Sequence, residues 1–277
     1  MRKNQIKLIA LDLDGTLLTT DKVLTPENEA ALSGAARAGI EIVPATGRFY
    51  GGMPENIRRL PFVRYAITVN GAQVWDVREQ RAISKAEIPW QRAVKIMEYL
   101  DSLPVIYDCY MDNWGWMTRA HYDRAEEFAP HRHSLEMLKT LRTPVPELKA
   151  HLARTQHDVQ KIQMFFLDPE LRARQMEELA RRFPDTAVTT SIPRNVELNS
   201  LAATKGEAVK TLASHLGLEL SQTMCFGDDL NDVTMLQAAG IGVAMGNAAP
   251  EVKAAADYVT LDCDHSGVAA AMHHFLG

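Results

Sequence analysis

Cysteine is scarce in this chain, and its scarcity removes several classes at once. Cys109, Cys225 and Cys263 are the only three in 277 residues. An odd count at wide spacing offers no disulfide framework and no CxxC pair for zinc or thiol redox chemistry. Reduced thiols in a cytoplasmic protein are the expectation. Basic charge is lacking too: 30 Lys and Arg stand against 35 Asp and Glu, a formal net charge of -5, so no cationic surface advertises nucleic acid. No apolar run approaches the roughly 20 residues of a membrane span. The opening Met1-Arg2-Lys3-Asn4-Gln5 runs straight into a strand-like segment, without the apolar stretch and cleavage site of a signal peptide. Repeats, low-complexity tracts and charge blocks are missing as well. What is there is ordinary globular composition, 46% hydrophobic and 23% charged, enough chain for one large domain or two smaller ones.

The apolar pattern predicts α/β organisation. Ile6 to Leu13 reads as a strand buried on both faces that stops at Asp12-Leu13-Asp14-Gly15. Thr25-Pro26-Glu27 starts a helix with a hydroxyl cap, a proline in the first turn and an acid at the positive end of the dipole. Ile40 to Ala45 is a second strand, ending at Thr46-Gly47-Arg48. Strand, helix, strand at this spacing is a βαβ unit of a parallel sheet. Tyr65 to Val69 and Ala72 to Val77, joined through Asn70-Gly71, predict a hairpin. The rhythm changes between about 84 and 190. There, helical stretches (Trp90 to Leu103, roughly Tyr122 to Leu141) alternate with strands (Val105 to Met111, Ile162 to Leu167). From Thr204 the first rhythm returns, with a helix Lys205 to Leu216, strands Thr223 to Phe226, Ile241 to Ala244 and Tyr258 to Leu261, and intervening helices. The expected organisation is a parallel-sheet domain from 1–83 and 191–277, interrupted by an α+β module over 84–190.

Polar clusters recur where strands end, which is where open α/β sheets bind ligands. Asp12 and Asp14 lie two apart on an extended segment, so both project to one side and repel unless a cation intervenes or one of them is protonated. As an isolated pentapeptide Asp-x-Asp-Gly-Thr could be only a polar turn. Gly227-Asp228-Asp229-Leu230-Asn231-Asp232 packs three acids and an amide into a strand-to-helix junction. Capping needs one or two such groups; the surplus implies a hard divalent cation with oxygen ligands, Mg2+ foremost. Thr46-Gly47 offers a hydroxyl and backbone N–H groups, and Lys205 opens a helix where the dipole favours an anion.

With these residues in order, the sequence resembles the haloacid dehalogenase (HAD) superfamily of phosphohydrolases. The resemblance rests on Asp12-Leu13-Asp14-Gly15-Thr16, Thr46, Lys205 and the 227–232 segment. Ala45-Thr46-Gly47-Arg48, Val69-Asn70-Gly71-Ala72 and Gly242-Val243-Ala244-Met245-Gly246-Asn247-Ala248 resemble its Cof-type branch. It implies a Rossmann-like parallel-sheet HAD core with an inserted α+β cap domain. It also implies a phosphatase that takes phosphate from a small phosphorylated metabolite, with sugar phosphates the leading substrates. Asp12 would be the nucleophile and Asp14 the general acid and base. Mg2+ would be held by the Asp12 carboxylate, the Asp14 backbone carbonyl and Asp228. Thr46, Lys205 and Asn231 would contact phosphate, with backbone help from Leu13 and Gly47, and Asp232 would orient the ligands or Lys205. A phosphomutase, a disaccharide-phosphate phosphatase and a non-enzymatic phospho-ligand regulator remain as alternatives on the same scaffold.

Weaker features have bland readings. Arg48 and Asn70 flank the motif strands and could touch the substrate beyond its phosphate, although an Asn-Gly turn needs Asn for backbone reasons alone. Trp114 and Trp116 alternate like one face of a strand and read equally well as packing against helices. His131 and His133 lie in a polar stretch with no third ligand nearby, and Met224, Met235 and Met245 read as core filler.

Overall fold

The structure is a computed structural model that describes residues 6–129, 131–192 and 194–277. Met1 to Gln5, and the side chain of His133, lie outside the described residues. The chain divides into two compact units, Met1–Arg48 with Met53–Lys85 and Ala203–Gly277, and Phe49–Gly52 with Ala86–Ala202.

The first unit is built on a five-stranded sheet in the order Tyr258–Val259, Ile241–Ala244, Thr223–Gly227, Leu8–Leu11, Glu41–Pro44. All its pairs are parallel, with Leu8 opposite both Thr223 and Glu41. Leu8 to Leu11 are buried without interruption, as a strand covered on both faces requires. One apolar cluster joins Leu8, Ala10, Val43, Cys225 and Ala244 to Val209 and Leu212 of the helix Lys205–His215 and to Met235 and Leu236 of Val233–Ala238. The helix Pro26–Arg37 packs on the closing helix Gly267–Leu276. It starts as expected: the Thr25 side chain accepts from the Asn28 N–H and Pro26 holds the first position.

A three-stranded antiparallel sheet, Tyr65–Thr68, Gln73–Asp76 and Arg81–Lys85, joins the edge through a bridge of Ala45 to Ile67. The expected hairpin is there, but Val69, Asn70 and Gly71 all take left-handed backbone at φ 50°, 58° and 97°. Gly71 has no alternative, since a Cβ there would stand 2.2 Å from the Thr204 carbonyl oxygen. The turn is thereby seated against the start of the Lys205 helix. The strand expected over Tyr258 to Leu261 pairs only at Tyr258–Val259.

The second unit holds a six-stranded sheet in the order Thr186–Thr189, Asn195–Ser200, Lys161–Phe165, Ile106–Met111, Trp114–Thr118, Arg142–Val145. All pairs are antiparallel except the last. Pro144 sits on that last strand, at the edge, where its missing N–H is harmless. Sequence reading ended this module at 190; the unit continues through Asn195–Ser200, whose Val196 and Leu198 join Ile162 and Met164 in one apolar cluster. That cluster packs against Trp90–Leu100, Leu148–Thr155 and Pro169–Arg182. The single helix expected from about Tyr122 to Leu141 is three short ones, Arg119–Asp123, Ala125–Phe128 and Arg132–Thr140. Ala129 interrupts it in extended conformation, as the residue before a proline must. Trp116 packs on the main cluster and donates to the Met111 carbonyl, and Trp114 donates to Thr143 Oγ1. Both tryptophans are structural elements of this unit.

Candidate active site

The strand order decides where a site can form. From Leu8–Leu11 the chain moves to Glu41–Pro44 on one side, and its last third fills the other side beginning with Thr223–Gly227. The sheet therefore switches direction beside Leu8–Leu11, and a crevice opens at the carboxyl ends of such neighbours. The Asp12 N–H donates to the Phe226 carbonyl at 3.0 Å, so the segments after the two strands emerge side by side. Asp12 follows one and Asp228 the other, 216 positions apart in sequence.

Lys205 is the hub. Its side chain is fully buried, and Nζ lies 2.6 Å from Asp12 Oδ1 and 2.6 Å from Asp232 Oδ1. Asp232 uses its other oxygen to accept from the N–H groups of Asp228 and Asp229, at 2.9 and 3.1 Å. One carboxylate thus fixes the lysine and shapes the acidic loop. Asp228 Oδ1 accepts from Thr16 Oγ1 at 2.6 Å, and Asn247 Nδ2 reaches Asp228 Oδ2 at 3.4 Å and the Gly15 carbonyl at 2.9 Å. Gly15 is at φ 92°, and a Cβ there would come within 2.4 Å of Asp228 Oδ2. Capping, the bland reading of the acidic loop, does hold for Asp229, whose side chain accepts from Leu230 N–H.

Asp14 is served separately. Arg48 grips it with Nε to Oδ2 and Nη2 to Oδ1, both at 2.8 Å, and Lys22 Nζ lies 3.0 Å from Oδ1. The repulsion expected between Asp12 and Asp14 is met by giving each carboxylate its own cation. Thr46 is buried, its Oγ1 accepting from Arg48 N–H at 3.2 Å. Asn70 N–H donates to the Thr46 carbonyl, and its Oδ1 accepts from Asn231 Nδ2 at 3.0 Å. A Cβ on Gly47 would lie 3.0 Å from that Asn70 oxygen. Leu13 is buried between the two acids. Every sequence-predicted site residue lies in this one unit, at the carboxyl ends of its strands or at the helix start they face.

Electrostatics explain the character of the place. Burial pushes Asp12 up to about 7 against the pull of Lys205, with Asp232 and Asp228 adding to the rise. Asp228 is held at about 6, again chiefly by burial, with Asp232 adding and Thr16 opposing. For Asp14 burial acts upward too, but Arg48 and then Lys22 outweigh it and the carboxyl is lowered. Lys205 is raised by its two carboxylates despite its burial. One oxygen each of Asp12, Asp228 and Asp232 lies within 4.8 Å of the others. Three carboxylates against one ammonium leave two negative charges uncompensated, and the donors are all oxygen. That set fits a hard divalent cation.

The comparisons with known proteins decide the family. The model of the haloacid dehalogenase-like hydrolases matches residues 9–272. The chain belongs to this family. The phosphatase YwpJ of Bacillus subtilis is 34% identical over 98% of this chain and 100% of its own length. The 5-amino-6-(5-phospho-D-ribitylamino)uracil phosphatase YcsE of the same organism is 31% identical over 98% and 96%. A solved haloacid dehalogenase-like hydrolase from B. subtilis superposes with a TM-score of 0.79 at 33% identity, covering 97% of this chain and 99% of that one. The protein is a HAD phosphatase of the Cof type, a phosphoric monoester hydrolase. Among the described residues, no helix is long and apolar enough to cross a membrane.

Some partners in this HAD site escaped sequence reasoning. Thr16, which sequence reads only as part of a polar turn, donates to Asp228. Arg48, one candidate for the substrate's non-phosphate part, here grips Asp14. Lys22 gave no signal, being one surface lysine among many. Asn247 had one, its place after the strand Ile241–Ala244 in Gly-Asn-Ala.

Proposed function

We propose that this phosphatase hydrolyses phosphomonoesters of small metabolites, sugar phosphates foremost, through an aspartyl-phosphate on Asp12 with Mg2+ as cofactor. The observation that carries the reading is the buried contact of Lys205 with Asp12, beside Asp228. A buried carboxylate, a fixed cation and a second acid at one strand-end crevice support reading Asp12 as the nucleophile and Asp228 as a cation ligand. The Asp12 oxygen attacks phosphorus and the bond from phosphorus to the ester oxygen breaks. Asp14, which must first let go of Arg48 and Lys22 and take up a proton, gives that proton to the departing alkoxide. Asp14 then takes a proton from water as that water attacks phosphorus, and the bond to Asp12 breaks to release inorganic phosphate. Lys205, the Thr46 hydroxyl, Asn231 and the N–H groups of Leu13 and Gly47 bind the phosphoryl oxygens, where charge develops. Asp12, Asp228 and the Asp14 carbonyl would hold Mg2+, with Asp232 placing Asp228 through its backbone. The ion, when bound, neutralises charge between nucleophile and phosphate. YcsE, named for a phosphorylated ribitylamino-uracil, supports a small polyhydroxylated substrate.

The test is phosphate release from a metabolite panel, with and without chelator. Asp12→Asn should lose at least about 10⁴-fold in turnover, as nucleophile deletions do in other hydrolases. Chelation should stop the wild type and Mg2+ restore it. Substantial turnover by Asp12→Asn, or full activity in chelator, would reject the reading.

A further inference from the structure

We infer that Asn70 is a positioning residue for the phosphate site, turning the Asn231 amide so that an N–H, and not its carbonyl oxygen, meets the phosphoryl group. The inference deepens the proposed function, since it rests on Asn231 contacting phosphate.

The turn that carries Asn70 touches three separate places where the proposed site holds phosphate. Val69 N–H donates to the Arg48 carbonyl and Asn70 N–H to the Thr46 carbonyl, both at 3.0 Å. Those two bonds tie the turn to the strand end that bears Thr46 and Gly47. Gly71 sits so close to the next element that a Cβ there would stand 3.1 Å from the backbone nitrogen of Lys205. The third link is the Asn70 side chain, whose Oδ1 accepts from Asn231 Nδ2 at 3.0 Å across 161 positions of sequence. A tight turn needs no such bond for its own backbone. Val69 adds to the case: it is buried, β-branched and at φ 50°, an outlier that persists where the surroundings over-determine it.

The pair has a chemical consequence. An asparagine amide carries two hydrogens on its nitrogen and none on its oxygen, and half a turn of the side chain exchanges the two ends. With the oxygen inward, Asn231 would repel a phosphate. Asn231 is exposed, so packing alone does not fix its amide. Asn70 Oδ1 has only lone pairs to offer and therefore selects the nitrogen of Asn231. It engages one hydrogen of that nitrogen and leaves the second for a phosphoryl oxygen.

The test is a double-mutant cycle. Asn70→Gly deletes the acceptor at φ 58°, which glycine adopts freely, and Asn231→Ala deletes the amide. The inhibition constant of inorganic phosphate and kcat/KM for a hexose 6-phosphate are measured with Mg2+ for wild type, both single variants and the double. Asn70→Gly should weaken phosphate inhibition and lower kcat/KM about three- to tenfold, the size of one hydrogen bond. Asn231→Ala should lose at least as much, and adding Asn70→Gly to it should cost nothing further. Asn70→Asp suits left-handed backbone and retains an acceptor, so in that background Asn231→Ala should cause the same fold-loss as in wild type. Losses that multiply in the double variant, an Asn70→Gly protein that binds phosphate as wild type does, or an Asn70→Asp protein indifferent to Asn231→Ala would overturn the inference. Should Asn231→Ala alone leave both constants unchanged, the phosphate contact of Asn231 falls and the inference with it; should it be impaired without coupling to Asn70, only the role of Asn70 falls.

Discussion

Asp12→Asn should make the magnesium-free protein more stable while destroying its activity. Asp12 is buried beside two other carboxylates and is held at about 7, against 3.8 for the free side chain. Because the folded value is the higher one, ionising Asp12 opposes folding. The penalty is complete above about pH 7, shrinks as pH falls and vanishes below 3.8. A gap of about three units at 1.36 kcal/mol each amounts to about 4 kcal/mol. The attraction of Lys205, which keeps Asp232 in the variant, is already contained in that figure, and relaxation around the buried charge brings it down further. The expected net gain at pH 8 in chelator is about 1–3 kcal/mol, or about 2–8 °C in melting temperature. At pH 5 folded Asp12 has regained its proton while the unfolded side chain is still mostly ionised, so the gain should fall to less than about half its pH 8 value, reaching zero only below 3.8. Thermal melts of both proteins at the two pH values check this. An Asp12→Asn protein that melts below wild type at pH 8 would refute the reasoning, because it would mean that the Lys205 pair outweighs the burial and repulsion.

Protons and Mg2+ should compete for the same oxygens. With Asp12 at about 7 and Asp228 at about 6, the apparent Kd for Mg2+ should weaken as pH falls through 7, by about tenfold per unit while one proton must be displaced and more steeply below 6; calorimetric titration at pH 5.5, 6.5 and 8 would expose a flat profile. In the second unit, Arg142 Nε lies 3.0 Å from a fully buried Asp108 as an ion pair, off the line of a hydrogen bond. Arg142→Met should cost about 3–5 kcal/mol by stranding that carboxylate, and Asp108→Leu on top of it should restore most of the loss; denaturant unfolding that finds the single variant within about 1 kcal/mol of wild type would contradict it. Gly15→Ala places a Cβ 2.4 Å from Asp228 Oδ2 at φ 92°, so Mg2+ affinity and turnover should both fall at least about tenfold, and unchanged calorimetric and kinetic values would show that Asp228 is not held there.

Much of the first unit was legible because its signals are local. A strand buried on both faces must be apolar throughout, so Leu8 to Leu11 and Ile42 to Pro44 announced themselves, and the polar residues where they stop marked the site. The second unit was harder to read. Its strands alternate and its sheet mixes apolar with charged positions such as Asp108, Lys161 and Glu197, which read as surface until their neighbours are known. Asn195–Ser200 was missed as part of that sheet although Thr186–Thr189 pairs with it from just upstream, because its other partner, Lys161–Phe165, lies thirty residues back. The broken helix between Arg119 and Thr140 shows the same limit, its apolar spacing running on while the backbone stops at Ala129.

The sequence by itself determined the chemistry available: which carboxylates, hydroxyls and cations stand at the ends of strands, and in what order. Those properties belong to residue types and to spacings of a few positions. Only the tertiary structure decided who holds whom. Lys205 could have served phosphate alone, yet it bridges Asp12 and Asp232; Arg48 and Lys22 converge on Asp14; Thr16 and Asn247 steady Asp228. Such pairings span from 8 to more than 200 positions. They follow from the order of strands in a sheet and the path of the loop that carries Lys22, which no local pattern encodes.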